Sequence, residues 1–361
     1  MASAAVNGIS GRELLADLVA IPSLSGQEEQ AVQWLVEQMA AHGFDARVDP
    51  AGNAVGSLGD GPQEIMLLGH IDTVPGDIPV RVEDGVLYGR GAVDAKGPLA
   101  TFVAAASQAD IPEGVKLTVV GAVGEETFGS PGASWLRDHH PAPAAVIIGE
   151  PSGWDAVVLG YKGSTSLRAR YECPLSHSAG PEVTAAETLF GFWSVVLNWL
   201  RQVNGDTEPG FDSLDGVLRE LDSGSDGLTE WATLAATFRM PPGICSDEVH
   251  GQVGGIAQDF GVEVEWTFNA EAYRCDRRSA LIAPFFAAIR NQGAKPRTKV
   301  KTGTSDMNVV GPAWGCPMLA YGPGDSSYDH TPDEQIELAD VDRAVAVLTE
   351  ALGRFALRLS S

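Results

Sequence analysis

Long apolar runs, paired cysteines and an excess of positive charge are all missing from this sequence of 361 residues. No stretch approaches the roughly 20 apolar residues of a membrane-spanning helix, and the opening MASAAVNGISGRELLADLVAIPSLSG has no basic region leading into an unbroken apolar core. The expectation is a cytoplasmic protein with no membrane partner. Cys173, Cys245, Cys275 and Cys316 stand far apart without CxxC spacing, which argues against a zinc ribbon and a disulfide framework and leaves free thiols. Acidic residues outnumber basic ones 48 to 24, and the resulting net charge of −24 opposes binding to nucleic acid. What is present, 44% hydrophobic and 20% charged residues, suffices for one large or two medium globular domains.

Periodicity and breakers give the coarse order of elements. Residues 10–19 and 28–43 carry apolar positions at helical spacing, with Gly43 as a stop. Short apolar runs at 64–68, 116–123 and 144–148 read as strands, separated by helical stretches at 99–109 and 133–139. Such alternation predicts an α/β domain with a mostly parallel sheet flanked by helices. From about Gly163 the pattern changes: SLRARYECP alternates like a strand, 185–203 is a long apolar helix, 206–227 is a Gly-, Asp- and Ser-rich loop, and GVEVEWTFNAEA alternates again. We therefore expect an inserted α+β domain over 163–272 and a main domain from 1–162 and 273–361. A helix at 281–290, a strand in KPRTKVKTG and a closing helix at 341–357 complete the main domain.

Five side chains stand beside strand-like runs or glycine turns and suit a borderline metal such as zinc: His70, Asp94, Glu126, Glu150 and His330. Five exceed the needs of one tetrahedral ion and suit two ions bridged by a carboxylate. In open α/β sheets the ligand site lies beyond the carboxyl ends of the strands, where GHIDTVPG, GEETFGS and GEPSG fall. Asp72, two residues after His70, shares its face in extended chain and can orient the imidazole. Adjacent Glu125 and Glu126 repel each other unless a cation intervenes; one can then ligate while the other takes a proton from water. Taken singly, each has a plainer reading: an isolated HxD is a capping histidine with a turn aspartate, Asp94 lies in an ordinary glycine-rich loop, and His330 is a surface turn residue.

In that order, GHIDTVPG, GRGAVDAKGPLA, GEETFGS, GEPS and DHTPDE resemble the di-zinc aminoacylase and exopeptidase family, along nearly the whole chain. The resemblance implies a zinc-exopeptidase-like fold whose inserted segment is a lid and dimerisation domain, hence a homodimer, and a cis Asp94–Ala95 peptide. It implies two zinc ions, with cobalt as a possible substitute. Asp94 would bridge them, His70 and Glu150 would complete one ion and Glu126 and His330 the other. Glu125 would be the general base, Asp72 the partner of His70, and His177 in LSHSAG a donor to the oxyanion. Arg239 in ATFRMPPG falls where members hold a substrate carboxylate, for which Arg168 and Arg274 remain alternatives, and Gly303, Thr304 and Ser305 fall in a substrate-facing loop.

Within that family, GEPSGWDAVVLGYKG, KTGTSDMNVVGPAW and AYGPGDSSYDHTP are most similar to members that release lysine or ornithine from an acidic amino-group carrier protein, which would then be the substrate partner. An acidic carrier and an acidic enzyme repel unless a basic patch guides them. Lys295, Arg297, Lys299 and Lys301 fall at period two in KPRTKVK, so a strand there would present a basic stripe to such a carrier; a charged edge strand that discourages aggregation is the plainer account. Deacylation of acetylornithine or succinyl-diaminopimelate, dipeptidase action and a non-catalytic metal-binding module are the alternatives.

Overall fold

The structure is a computed structural model and describes residues 8–177 and 179–360. The chain divides into two compact units: the first runs to Gly160 and adds Cys275–Val300 and the residues from Ser305 onward, and the second comprises Tyr161–Arg274 and Lys301–Thr304. The second unit thus starts two residues before the expected insertion at 163, ends two after 272, and also takes the segment that precedes Ser305.

The first unit is built on a sheet whose spatial order is Asp45–Val48, Ala54–Leu58, Val115–Ala122, Gln63–His70, Ala145–Gly149, Met318–Ala320 and Ala156–Tyr161. Its middle is parallel, and its margins are antiparallel. Ile65, Met66, Leu67 and Leu68 are all fully buried. A continuous apolar run, rather than alternation, is what a strand covered on both faces requires. Each such side chain contributes about 1.5–3 kcal/mol. The helix Lys96–Gln108 is buried from Lys96 to Ala106 and packs with the helices Gly11–Val19 and Leu338–Leu359. Pro131–His139 packs on a helix absent from the sequence reading, Asp306–Trp314, whose internal Pro312 disguises it.

The second unit has its own antiparallel sheet, ordered Asp215–Ser225, Thr229–Met240, Gly163–Pro174 and Glu263–Ala270. The helices Ala185–Asn204 and Ser246–Phe260 share a separate core with it that includes Leu189, Phe192, Val196, Leu234, Phe238 and Val253. The expected loop at 206–227 is corrected here: Asp215–Ser225 is a strand, paired along its length with Thr229–Met240 and bulged between Leu218 and Glu220. Most of its side chains are exposed, so backbone pairing rather than burial makes it a strand. Among the described residues no helix is long and apolar enough to cross a membrane.

Candidate metal centre

Three adjacent parallel strands deliver His70, the Glu125–Glu126 pair and Glu150. His70 ends the strand Gln63–His70, the Glu125–Glu126 pair follows Val115–Ala122, and Glu150 follows Ala145–Gly149. Gly69 and Gly149 stand opposite each other immediately before His70 and Glu150. A Cβ on Gly149 would come within 2.8 Å of the Gly69 Cα, so the strands can meet this closely at the site only with glycine there. Asp94 arrives on the loop that enters the helix Lys96–Gln108, and the Asp94–Ala95 peptide is cis. His330 follows a short 3-10 turn, Ser326–Tyr328, and has a left-handed backbone with φ of 60°.

Potential ligand atoms of His70, Asp94 and Glu150 lie within 4.8 Å of one another, and so do those of Asp94, Glu126 and His330. Asp94 is common to both groups. Its Oδ1 is 3.2 Å from His70 Nε2 and its Oδ2 is 3.1 Å from His330 Nε2, so the two imidazoles address opposite oxygens of one carboxylate. His330 Nε2 is also 2.8 Å from Glu126 Oε1. Two imidazoles and three carboxylates gathered around Asp94 are a donor set that fits divalent metal.

The electrostatics point the same way. Burial would lower the pKa of His70, but hydrogen bonds with Asp72 and Asp94 and the nearby Glu125 outweigh it and raise the pKa well above the usual value. His330 is pushed up to about 10 by Asp94 and Glu126. Burial opposes ionisation of Asp94, yet His330 and His70 hold its carboxyl below the usual range. The cluster draws positive charge to itself, a demand that metal ions would satisfy in place of protons.

Asp72 does more than orient His70. The His70 Nδ1 faces the Asp72 carbonyl oxygen at 3.1 Å and its carboxylate at 3.4 Å. That same carboxylate accepts from Ser25 Oγ at 2.7 Å and from the backbone N–H groups of Glu125 and Glu126 at 3.0 and 3.1 Å. One buried side chain therefore fixes a ligand and both glutamates. Burial raises the Glu125 pKa well above that of an ordinary glutamate, His70 opposes this, and Glu150, Asp306 and Glu126 reinforce it. A carboxylate so tuned is a strong proton acceptor.

The remaining candidates are placed as follows. Ser305 caps the helix Asp306–Trp314: Oγ accepts from Met307 N–H and its own N–H donates to Asn308 Oδ1, a capping box. Gly303 and Thr304 belong to the second unit. There, His177 is exposed, with Nδ1 accepting from the Ala179 N–H at 3.1 Å. Arg239 lies on the strand Thr229–Met240, with a buried Nη1 that has no hydrogen-bond partner among the described residues. Burial and the neighbouring Arg219 lower its pKa. The basic stripe is not uniform: Lys295 is exposed, Arg297 forms a two-pronged pair with Asp155 at 2.6 and 3.1 Å, and Lys299 Nζ turns in to the Ser152 carbonyl at 2.7 Å. Lys301, at the end of the strand Arg297–Lys301, is half-buried.

Three residues near the centre escaped the sequence reading. Lys96 is buried and donates to the carbonyls of Leu18 and Ile21 at 3.1 and 2.7 Å, anchoring the end of the helix Gly11–Val19; a lysine opening an otherwise apolar helix was its signal. Asp306, also buried, is pushed up to about 7 by burial, with His70 opposing. Glu334 grips the backbone at Val93 and Asp94.

The family model for peptidase family M20/M25/M40 matches residues 66–354. The chain belongs to that family. M20 membership makes it a metal-dependent hydrolase. It is 47% identical over 354 residues to the LysW-lysine hydrolase of Deinococcus radiodurans, covering 96% of this chain and 97% of that protein. It is 29% identical to the LysW-lysine/LysW-ornithine hydrolase of Saccharolobus islandicus, covering 91% of each. In fold it is similar to an M20 metallo-carboxypeptidase from Sulfolobus solfataricus, with a TM-score of 0.79, 16% identity and coverage of 97% of this chain and 100% of the other. The M20 match spans His70, Asp94, Glu125, Glu126, Glu150 and His330 alike.

Proposed function

We propose that this M20 hydrolase releases lysine, or ornithine, from the amino-group carrier protein LysW. It cuts the amide between the carrier's C-terminal glutamate side chain and the α-amino group of the amino acid. The observation that carries the chemistry is the sharing of Asp94 between two ligand groups with Glu125 beside them; the choice of substrate rests on the near full-length similarity to LysW-lysine hydrolase.

His70, Asp94, Glu126, Glu150 and His330 would hold the divalent ions, which when bound would supply polarisation of water and of the scissile carbonyl. Glu125 takes the proton of the attacking water and hands it to the departing amine. Asp72 holds the Glu125 backbone so that the carboxylate stays aimed during both transfers. His177 donates to the oxygen on which negative charge develops. Arg239 receives the carboxylate of the released amino acid, a role supported by its unpaired buried nitrogen. Gly303 and Thr304 offer further hydrogen bonds to that carboxylate.

We read the metals as two zinc ions, replaceable by cobalt, in keeping with the nitrogen and oxygen donor set. The protein acts in the cytoplasm, in lysine biosynthesis, and in arginine biosynthesis when ornithine is the product. The second unit is a lid and dimerisation domain, a reading supported by the exposed Val183, Phe190 and Val195 at and along the helix Ala185–Asn204. Lys295 and Arg297 remain the candidates for steering the acidic carrier.

The test is amino-acid release by the metal-loaded enzyme from LysW-lysine, LysW-ornithine, acetylornithine and succinyl-diaminopimelate, compared as kcat/KM. Preference for a carrier-linked substrate is expected and ranks lysine against ornithine. Preference for a free acyl amino acid would retain the hydrolytic chemistry and refute the carrier.

A further inference from the structure

Glu334 lies four positions after His330 and is almost completely buried, at 1% exposure. An anion is costly there, close to a centre already rich in carboxylates, unless it is fully paired. Its bonds show how that cost is met. Oε1 accepts from two consecutive backbone N–H groups, Val93 at 2.9 Å and Asp94 at 3.1 Å, while Oε2 accepts from Arg90 Nη1 at 2.8 Å. Arg90 in turn donates through Nε to the Gly76 carbonyl at 3.0 Å, in the segment that follows His70 and Asp72. The main chain is tied as well: Gly89 N–H donates to the Glu334 carbonyl at 3.3 Å, and Gln335–Glu337 pairs with Val86–Tyr88.

We propose that Glu334 is a positioning residue for the metal centre: its carboxylate, held by Arg90, sets the backbone from which Asp94 projects and locks it to the segment that carries His330. This rests on the two-ion reading of the site. Asp94 must direct one oxygen toward each imidazole, and two N–H groups anchored on a single oxygen fix the rotation of the peptide from which it departs. Because Asp94 belongs to both ligand groups, loosening it weakens both ions together. Loss of a ligand that belongs to one group, such as Glu150, weakens one ion more than the other. A merely structural Glu334 predicts lower thermal stability with unchanged metal affinities.

The experiment is chelator-competition titration of the apoprotein with Co2+, read by visible absorption, alongside circular dichroism and the melting temperature of the apo form. Glu334→Ala is expected to weaken both ions in parallel by about 10- to 100-fold, the usual effect of removing a group that orients a ligand. Glu334→Gln keeps an oxygen for the two N–H groups and loses the charge and the acceptor that face Arg90, so a drop of a few-fold is expected, with Arg90→Met similar. A folded Glu334→Ala protein with wild-type affinities and an unchanged cobalt spectrum would overturn the proposal, as would Gln proving as damaging as Ala. If Glu334→Ala does not fold, Glu334→Gln and Arg90→Met decide: unchanged affinities in both refute the assignment. Wild-type protein that takes up no cobalt would instead remove the two-ion reading, and this inference with it.

Discussion

In the first unit the polar groups of the metal centre answer one another: Asp72 alone meets His70, Ser25 and two backbone N–H groups. In the second unit Arg239 keeps a buried guanidinium nitrogen with no hydrogen-bond partner among the described residues, and His177 is exposed. The contrast separates two kinds of work. Under the proposed function, groups that would hold cations and move protons are fixed before any substrate arrives, whereas Arg239 keeps a buried nitrogen to which the substrate would supply the missing partner.

The contrast is broken or sharpened by substitution on either side of it. The largest effect is expected from Asp94→Ala, which removes the shared ligand: bound metal, read by elemental analysis, and activity should both fall to background. Retention of two ions would end the bridging role. Next, Glu125→Gln should lower kcat by about 10²–10⁴-fold with metal content intact, since only proton transfer is lost; a metal-depleted variant would make Glu125 a ligand instead. In the second unit, Arg239→Met should raise KM by about 10- to 100-fold, matching a charge-assisted hydrogen bond of about 1.5–3 kcal/mol, and leave metal content alone. A fall in kcat with unchanged KM would erase the division of labour.

Smaller effects test the electrostatics. His330 has a folded pKa of about 10 against 6.5 for the unassisted group. Its contribution to the stability of the metal-free protein is therefore complete below about pH 6.5 and lost as pH rises through about 10. Apo melting temperatures should decline over that window, and His330→Ala should flatten the decline; an equally steep curve in the variant would assign the dependence elsewhere. Smallest of all, Lys295→Glu should reduce kcat/KM for the carrier a few-fold at low salt and leave acyl amino acid turnover unchanged. No salt-dependent difference would remove the steering role.

The sequence displayed His70, the Glu125–Glu126 pair and Glu150 because they end or follow buried apolar strands, where a charged residue is conspicuous, whereas Asp94 and His330 lie in loops and stood out only through the motifs around them. The strands at 63–70, 115–122 and 145–149 were legible for the same reason. Asp215–Ser225 was hidden because its side chains face solvent and its Gly216, Asp222, Ser223 and Gly224 read as a loop. Ser246–Phe260 was masked by Gly251, Gly254 and Gly255, and Asp306–Trp314 by Pro312. Glu334 and the second duty of Asp72 were invisible on other grounds: both grip backbone N–H groups, and the main chain leaves no mark in the order of side chains. Lys299 illustrates the opposite failure, since period two placed it on an open face but its ammonium turns in to a carbonyl.

The spacing of Asp94 and His330 has a consequence for how the protein comes into being. The contact between His330 and Glu126 closes across 204 positions, and in the chain His330 follows the strand Met318–Ala320, which pairs with Ala145–Gly149. During synthesis the amino-terminal portion can present His70, Asp94 and Glu150 long before the last ligand leaves the ribosome. A half-made chain therefore exposes one cradle of the pair without its neighbour, and contacts this distant in sequence form late. The second group is therefore complete only once the carboxyl-terminal segment that carries His330 has reached Asp94 and Glu126.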